Sequence, residues 1–433
     1  MPSLTRPGNL LVLIIVMLPV TAAAWLASAY PVPGVGSVLN LLGRLAGVMG
    51  MTMMLVAAVV SIRVPRFDQP FGGLSELWKV HHWLGSGAFL WLMAHPILLA
   101  LAVVPQSPQA GADLLLPPAA ATASWIGWAA LVAMMAFLAP TFSFFDAAHY
   151  QRWKGLHGIS GLAVLLAFGH TLMLGRSLPV WVWWGLGLLA LAALLFRLVW
   201  RKWRQGRTFR ITAVTPLADR VVELALVPQN GKPLVYEAGQ FVYLAPLDAT
   251  LTAGRGEEHP YTIASAPQDT LLRIAVKDLG DASGALQQVP IGSLATIDGP
   301  YGRFFEAADS APQLWLGGGI GITPFVGRAR WMAASASATD VHLIYCANDS
   351  GRAYYLEELN AIASSLPHFH VWPHYFSDEG PLQARWVQAR CGDAVSRLVH
   401  ACGPAPLLEL MATINRELGI PASHYKSEAF DFL

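Results

Sequence analysis

Charge and cysteine are what this chain has least of. Only 13% of its 433 residues are charged while 55% are hydrophobic. A soluble domain carries roughly 25% charge, so an ordinary soluble enzyme throughout is excluded. The formal net charge of +1 gives no basis for nucleic-acid binding. The three cysteines, Cys346, Cys391 and Cys402, all fall late in the chain and make no C-x-x-C. They allow neither a disulfide framework nor the four thiolates of an iron–sulfur cluster, and they point to a reducing, cytosolic setting for that half.

What is abundant is apolar length, nearly all of it before residue 201. Six spans fit there, at about 10–29, 38–62, 77–104, 124–142, 153–174 and 179–200. Arg6, an apolar run and Ala27-Ser28-Ala29 imitate a cleavable signal peptide. The run is long for one and its removal would leave an odd number of spans, so a retained helix is expected. Basic residues set the orientation. Arg6, Arg63, Arg66, Lys79, Arg152, Lys154 and the Arg201–Arg207 cluster share one side, while the opposite loops hold only Arg176, with Arg44 just inside the second span. Both termini are therefore expected in the cytoplasm of a multi-pass inner (plasma) membrane protein. Arg44 and Arg176 would sit at the outer level, as anion partners or as snorkelling arginines. The loop 105–123 reads as an external cap without chemistry.

Two segments of the spans look alike. Leu77–His95 reads LWKVHHWLGSGAFLWLMAH and Arg152–His170 reads RWKGLHGISGLAVLLAFGH, so that a shift of 75 residues puts Trp78 on Trp153, Lys79 on Lys154 and His95 on His170. Histidine within a membrane span is costly and marks a site. Four of them at matched depths on two helices fit a stacked pair of haems, each taking one imidazole from either helix. His81 and His95 are 14 residues apart, nearly four whole turns and roughly 21 Å of rise, so both share a face. His157 and His170 are 13 apart and fall about 140° short of closure. That pair requires a local irregularity, for which Gly155, Gly158, Gly161 and Gly169 leave room. The repeat itself would choose His82; the helical face chooses His81. The expected metal ligands are His81, His95, His157 and His170, with His82 the substitute for His81.

After Arg207 the pattern changes. Thr208–Leu226, Tyr236–Leu244 and Leu271–Val276 read as strands of a small antiparallel barrel, with turns at Asn230-Gly231 and Asp298-Gly299. From Gln313 strands and helices alternate, with strands at 314–316, 341–346, 370–375 and 396–402, which predicts a doubly wound α/β sheet. The expected domains are a six-span membrane domain (1–206), a barrel (207–310) and a nucleotide-binding α/β domain (311–433). Gly317-Gly318-Gly319-Ile320-Gly321-Ile322-Thr323-Pro324 follows a strand and opens a helix. Its glycines admit a pyrophosphate to the backbone N–H groups, Thr323 is placed to cap the helix, and Pro324 suits the first turn. Ser350 and Arg352, past the next strand, lie where a ribose 2′-phosphate would sit, which hints at NADPH over NADH.

His259-Pro260-Tyr261-Thr262 in the barrel, the GGGxGxTP turn and then Cys402-Gly403-Pro404, all behind six spans with paired histidines, resemble the NADPH oxidase and ferric reductase family of membrane flavocytochromes b. The likeness covers about residue 10 to 433. It implies FAD, two haems b and NADPH or NADH as cofactors. By that resemblance His259 contacts the flavin diphosphate, Tyr261 flanks the isoalloxazine and Thr262 faces its N5. Gly239-Gln240-Phe241 matches the barrel G-Q-F, while Pro260, Lys277 and Ser283 join the flavin site. Gly317, Gly318, Gly319, Gly321, Thr323, Pro324, Arg352, Gly403 and Pro404 would hold the nucleotide. Cys402 would lie by the nicotinamide carbon that releases hydride, although a small buried thiol is the plainer reading. Phe430, of Glu428-Ala429-Phe430, would stack on the flavin, with Phe432 its competitor. Cys402, Phe430 and Thr262 are thus the catalytic candidates.

Against the family pattern, no EF-hand loop and no proline-rich docking segment appear, so neither a calcium switch nor an obligate protein partner is expected. Leu99 stands where superoxide-producing members carry a further outer histidine. The expected function is electron transfer from cytosolic NAD(P)H across the membrane to oxygen, giving superoxide; a ferric chelate is the alternative acceptor. A different class remains, a membrane-anchored flavin reductase without haem. Beyond lipid and the small-molecule acceptor, no partner is expected.

Overall fold

The computed structural model describes residues 6–29, 34–64, 66–139, 155–204, 207–305 and 311–429. It forms two compact units, Met1–Trp200 and Arg201–Leu433.

The first unit is helical: α1 (Pro7–Ser28), α2 (Val35–Val60), α3 (Leu74–Val103), α4 (Pro108–Leu115), α5 (Thr122–Leu138), α6 (Ser160–Leu174) and α7 (Val180–Arg204). Four helices are long and apolar enough to cross a membrane: α1, α2, α3 and Gly155–Leu174. Thr122–Leu138 and Val180–Phe196 are shorter apolar helices. Trp25, Leu90, Leu165 and Trp181 are each more than 65% exposed. An apolar rim of this kind wants lipid rather than water. Inside, α2 lies along α3 and α5 along α6, around Met51, Leu55, Ala88, Met134, Ala163 and Trp183. The loop 105–123 is not a featureless cap. Ser107 accepts a hydrogen bond from the Ala110 amide (3.2 Å), and Pro108 enters at the first turn, so the segment nucleates α4.

The predicted irregularity after His157 is present. Residues 155–157 are helical, 158 and 159 form a turn, and α6 starts at Ser160. The turn is tight: the Gly158 amide donates to Gly155 O (3.1 Å) and the Ile159 amide to Leu156 O (3.0 Å). Bonds of this i→i+3 kind advance the chain about 120° per residue instead of about 100°. The excess rotation runs in the sense that the 13-residue spacing needs.

The second unit holds two sheets. β1 (Thr208–Ala218), β2 (Val221–Pro228), β3 (Phe241–Pro246), β4 (His259–Thr262), β5 (Leu272–Lys277) and β6 (Leu294–Tyr301) pair antiparallel in the order β4-β3-β6-β1-β2-β5. A bridge between Ile263 and Ile274 joins the two edges, so the sheet curls on itself around Ile211, Leu224, Val242, Ile274 and Ile297. The short helix α8 (Asp281–Leu286) follows β5. The predicted strand 236–244 is only half strand. Tyr236 instead turns inward to donate its hydroxyl to Ala266 O (2.6 Å), and pairing begins at Phe241.

The other sheet is parallel, β11-β10-β7-β8-β9, from β7 (Gln313–Gly318), β8 (Val341–Ala347), β9 (Phe369–Tyr375), β10 (Leu398–Gly403) and β11 (Tyr425–Ala429). Helices α9 (Thr323–Ser335), α10 (Leu356–Ser365), α11 (Ala384–Arg390) and α12 (Ala405–Glu417) belong to it. Chain order runs outward from β7 to β9 on one side and from β10 to β11 on the other. The crevice therefore opens at the carboxyl ends of β7 and β10. All three cysteines are buried in this unit.

Candidate functional site

In the helical unit the four histidines meet in two pairs. The rings of His81 (α3) and His157 have centroids 6.0 Å apart, and those of His95 (α3) and His170 (α6) 6.3 Å apart. His82, next to His81, is exposed and belongs to neither pair. Two imidazoles bonded to one metal at about 2.0 Å each place their ring centroids about 6.3 Å apart. Both pairs thus already have the spacing of a bis-imidazole site.

Three of the four rings are also held by their Nδ1 nitrogen. His95 Nδ1 donates to Gly43 O (2.7 Å), His170 Nδ1 to Ala123 O (2.8 Å) and His81 Nδ1 to Ala57 O (2.9 Å). A carbonyl only accepts, so Nδ1 carries the proton in these rings. In His95 and His170 this leaves the Nε2 lone pair for a metal. Gly43 and Ala57 are 14 residues apart on α2, the same interval as His81 to His95 on the antiparallel α3.

The glycines beside the rings make this approach possible. A methyl on Gly47 would come within 2.8 Å of His95 Nδ1, and one on Gly127 within 2.6 Å of His170 Nδ1. Gly47 lies one turn past Gly43, and Gly127 one turn past Ala123. The same lock of carbonyl, glycine and imidazole is therefore built twice, once on α2 and α3 and once on α5 and α6. Sequence reading missed Gly43, Gly47, Ala57, Ala123 and Gly127. The clue available was glycine at one-turn spacing in the spans flanking each histidine helix.

His95 and His170 open onto a cavity of about 460 Å³, which Arg44, Leu99, Leu114 of α4, Trp128 and Arg176 also line. Arg44 Nε donates to Ser177 Oγ at 3.0 Å. The volume falls in the range of cofactor pockets. The paired rings, the fixed Nδ1 protons and this cavity fit a haem at the His95–His170 pair. At the His81–His157 pair the ring spacing fits one as well.

In the second unit the strand register joins the nucleotide residues. Cys402 pairs with Gly317 between β10 and β7. Gly319 adopts φ +56°, where a side chain is strained, and a methyl on Gly321 would collide with the Cys402 carbonyl. Gly318 has no room for one beside Leu407. Gly317, Gly318, Gly319, Gly321, Thr323, Pro324, Cys402, Gly403 and Pro404 thus share one crevice. Thr323 does not cap. The helical path starts earlier, in a 3-10 turn at Gly319–Ile322, so Thr323 is already inside it and its hydroxyl donates to Ile320 O (2.7 Å). Burial, then Glu428 across the ladder, pushes the Cys402 thiol well above its ordinary value, so it stays protonated. Ser350 and Arg352 lie on an exposed turn after β8, with Arg352 Nε 3.7 Å from Asp349 Oδ2. Phe430 and Phe432 lie outside the described residues.

The flavin candidates His259, Pro260, Tyr261 and Thr262 form β4 itself. Thr262 is 7% exposed, and burial raises the Tyr261 phenol so that it stays neutral. His259 Nε2 is 3.4 Å from Glu257 Oε2. Gln240 braces the barrel: its oxygen accepts from the Glu237 amide (2.9 Å) and its Nε2 donates to Gly302 O (3.1 Å). Lys277 ends β5, and Ser283 sits in α8, where its oxygen accepts from the Leu279 amide (2.9 Å).

Barrel and crevice are tied by residues that sequence reading did not single out. Helix α9 leaves the glycine turn and presses Gly327 against the Ile263 carbonyl, 2.8 Å from where a methyl would stand. One turn on, Arg330 donates to Ala264 O (3.0 Å), to Glu223 Oε2 (3.1 Å) and, with two nitrogens, to Glu358 (2.6 and 2.8 Å). Glu223, 6% exposed, also accepts from Arg273 (3.0 Å) and the Tyr355 hydroxyl (2.8 Å).

Comparison with known proteins agrees with this division. Residues 46–168 match the ferric reductase like transmembrane component, 207–304 an FAD-binding domain and 315–412 an oxidoreductase NAD-binding domain. The chain is 30% identical over 241 residues to ferredoxin–NADP reductase B of Sorangium cellulosum, which covers 51% of this chain and 96% of that one. It is 27% identical over 246 residues to the stachydrine N-demethylase reductase subunit of Rhizobium meliloti, covering 53% and 67%. The flavohemoglobin of Malassezia yamatoensis shares its fold with TM-score 0.50 and 20% identity, over 80% of this chain and 88% of that one. With a ferric reductase-like membrane domain, an FAD domain and an NAD domain in one polypeptide, the chain belongs to the flavocytochromes of NADPH oxidase and ferric reductase type, and is a membrane oxidoreductase.

Proposed function

We propose that this chain carries electrons from NAD(P)H on the cytoplasmic side, by way of FAD and two b-type haems, to oxygen on the far side, giving superoxide. The observation that carries the reading is the pair of histidine pairs, each at the ring spacing of a shared metal and set 14 residues apart along α3. Flavin, when bound, converts the two-electron donor into one-electron traffic that haem iron accepts. The chain's own part is to position. The Gly317–Gly321 turn and the carboxyl end of β10 receive the nucleotide, β4 presents Tyr261 and Thr262 to the flavin, and Phe430 is assigned to the flavin's other face. Buried Cys402 offers a neutral, desolvated wall beside the nicotinamide. His81 and His157 would hold the inner haem, His95 and His170 the outer one, and helix carbonyls orient three of the four rings.

On this reading six spans cross an inner membrane and both termini, the flavin and the nucleotide lie in the cytoplasm, an orientation that the basic residues at the span ends support. Oxygen suits an outer cavity lined by Leu99, Leu114 and Trp128. Arg44 and Arg176 in the same lining favour a second acceptor, an anionic ferric chelate.

The test is NADPH-driven cytochrome c reduction by detergent-purified, FAD-supplemented protein, with and without superoxide dismutase, together with haem spectra. Dismutase is expected to abolish the signal. A signal that survives dismutase and is competed by ferric chelates establishes the metal reductase. Absence of haem bands overturns the transmembrane relay and leaves an anchored flavin reductase.

A further inference from the structure

The parallel sheet has a second cluster of ligand-type side chains, at the end away from the glycine turn. His342 of β8 and His370 of β9 are register partners, so their side chains leave the same face. Asp340 stands two residues before His342 and Trp372 two after His370, again on that face. The imidazole centroids are 4.7 Å apart. One ligand atom each from Asp340, His342 and His370 lie within 4.8 Å of one another, and all three residues are half-buried. His342 pairs with Leu314 of β7, three residues or roughly 10 Å before Gly317 of the nucleotide crevice. Neither the nucleotide nor the flavin site makes use of this cluster.

We infer that Asp340, His342 and His370 form a binding site for a divalent transition ion of the zinc or copper class, bridging β8 to the edge strand β9. Donors around an ion with bonds of about 2.1 Å stand roughly 3–4 Å apart, so the cluster closes on one by side-chain rotation alone. Two imidazoles and a carboxylate select zinc and copper over magnesium or calcium, which want oxygen ligands. The carboxylate is already oriented. Arg397, 3% exposed, binds Asp340 Oδ2 at 2.6 Å, while Oδ1 faces His342 Nε2 at 4.0 Å. That arrangement leaves one carboxylate oxygen for an ion.

One contact competes. Trp372 Nε1–H donates to His342 Nδ1 at 3.2 Å, so the neutral ring carries its proton on Nε2. Ligation through Nε2 moves that proton to Nδ1, and two donors then face each other, so Trp372 must release the ring. No proton is lost overall. A ligand site and a merely structural cluster therefore respond oppositely to loss of the indole N–H.

The experiment is calorimetric titration of Zn²⁺ into the full-length, haem- and FAD-loaded, tag-free protein after chelator washing, with Mg²⁺ as the control. One Zn²⁺ should bind per chain and Mg²⁺ should not. His342→Gln and His370→Gln should each weaken it at least about tenfold, while Trp372→Phe binds as tightly as the native chain or more so. Flavin absorbance and NADPH-driven dye reduction, unchanged in all three variants, show that they are folded. With Cu²⁺, electron paramagnetic resonance should show coupling to two nitrogens, lost in either histidine variant. Native affinity in both histidine variants, a weakened Trp372→Phe, or equal uptake of Mg²⁺ overturns the site.

Discussion

His400 shows how far a single buried ring can be driven. It lies two residues before Cys402 on β10, 5% exposed, between Phe304 and Phe305 with centroids 5.5 and 5.0 Å away. Its Nδ1 has no hydrogen-bond partner among the described residues. Burial first, then the cations Lys426 and Arg328, depress its pKa to about 3. In the unfolded chain the ring titrates near 6.5, so the unfolded state takes up the proton first as pH falls. The stability that neutral His400 supports is complete above about pH 6.5 and is lost below it, by at most about 1.4 kcal/mol per pH unit, down to about pH 3. Thermal release of flavin from the full chain should therefore come about 3–6 °C lower at pH 5.5 than at pH 7.5 through this residue. His400→Phe should shrink that difference. An unchanged difference would show that other groups set the acid response.

At the scale of elements, α9 does two jobs, and only one is visible in the sequence. Its start is announced by the glycine turn; its flank, Gly327 and Arg330, is not, because Ile263, Ala264 and Glu223 come from parts of the barrel 64 to 107 residues away. The clamp joins the helix proposed to receive the nucleotide to the end of β4, the strand proposed to present Thr262 to the flavin. Arg330 uses a planar fork on Glu358 and a third nitrogen on the barrel, which lysine cannot reproduce. Arg330→Lys should therefore slow anaerobic flavin bleaching by NADPH roughly tenfold or more, as a displaced reacting pair does. FAD content and haem spectra should stay native. A normal bleaching rate would show that the clamp serves stability alone.

The helical elements teach the same lesson. That His81 rather than His82 faces His157 is legible because helical phase is local, and so is the need for a break after His157. The carbonyls and glycines that lock the rings were not, since nothing local distinguishes Gly47 or Gly127 from any glycine in an apolar run. Thr323 misled because a 3-10 turn, which glycines permit but do not require, moved the helix start by four residues.

For the whole molecule, the division into a helical unit and a two-sheet unit follows from the distribution of apolar length, and the class of each sheet from the order of its strands and helices. Apolar periodicity and strand–helix alternation survive any detail of packing. The short helix α4 did not show, because a Pro, Ala and Gln stretch of eight helical residues looks the same in a loop.

The burial of every cysteine has a practical consequence. With Cys346, Cys391 and Cys402 each at 2% exposure or less, the native chain is mute to a membrane-impermeant maleimide. A single new thiol is then a reporter of sidedness without removal of the others. In intact cells Gln109→Cys, on exposed α4, should label, and Ala389→Cys, exposed on α11, should label only after lysis. The reverse pattern would turn the protein over in its membrane. The same sealing suits a machine proposed to make an oxidant: its thiols are kept out of reach of what it releases.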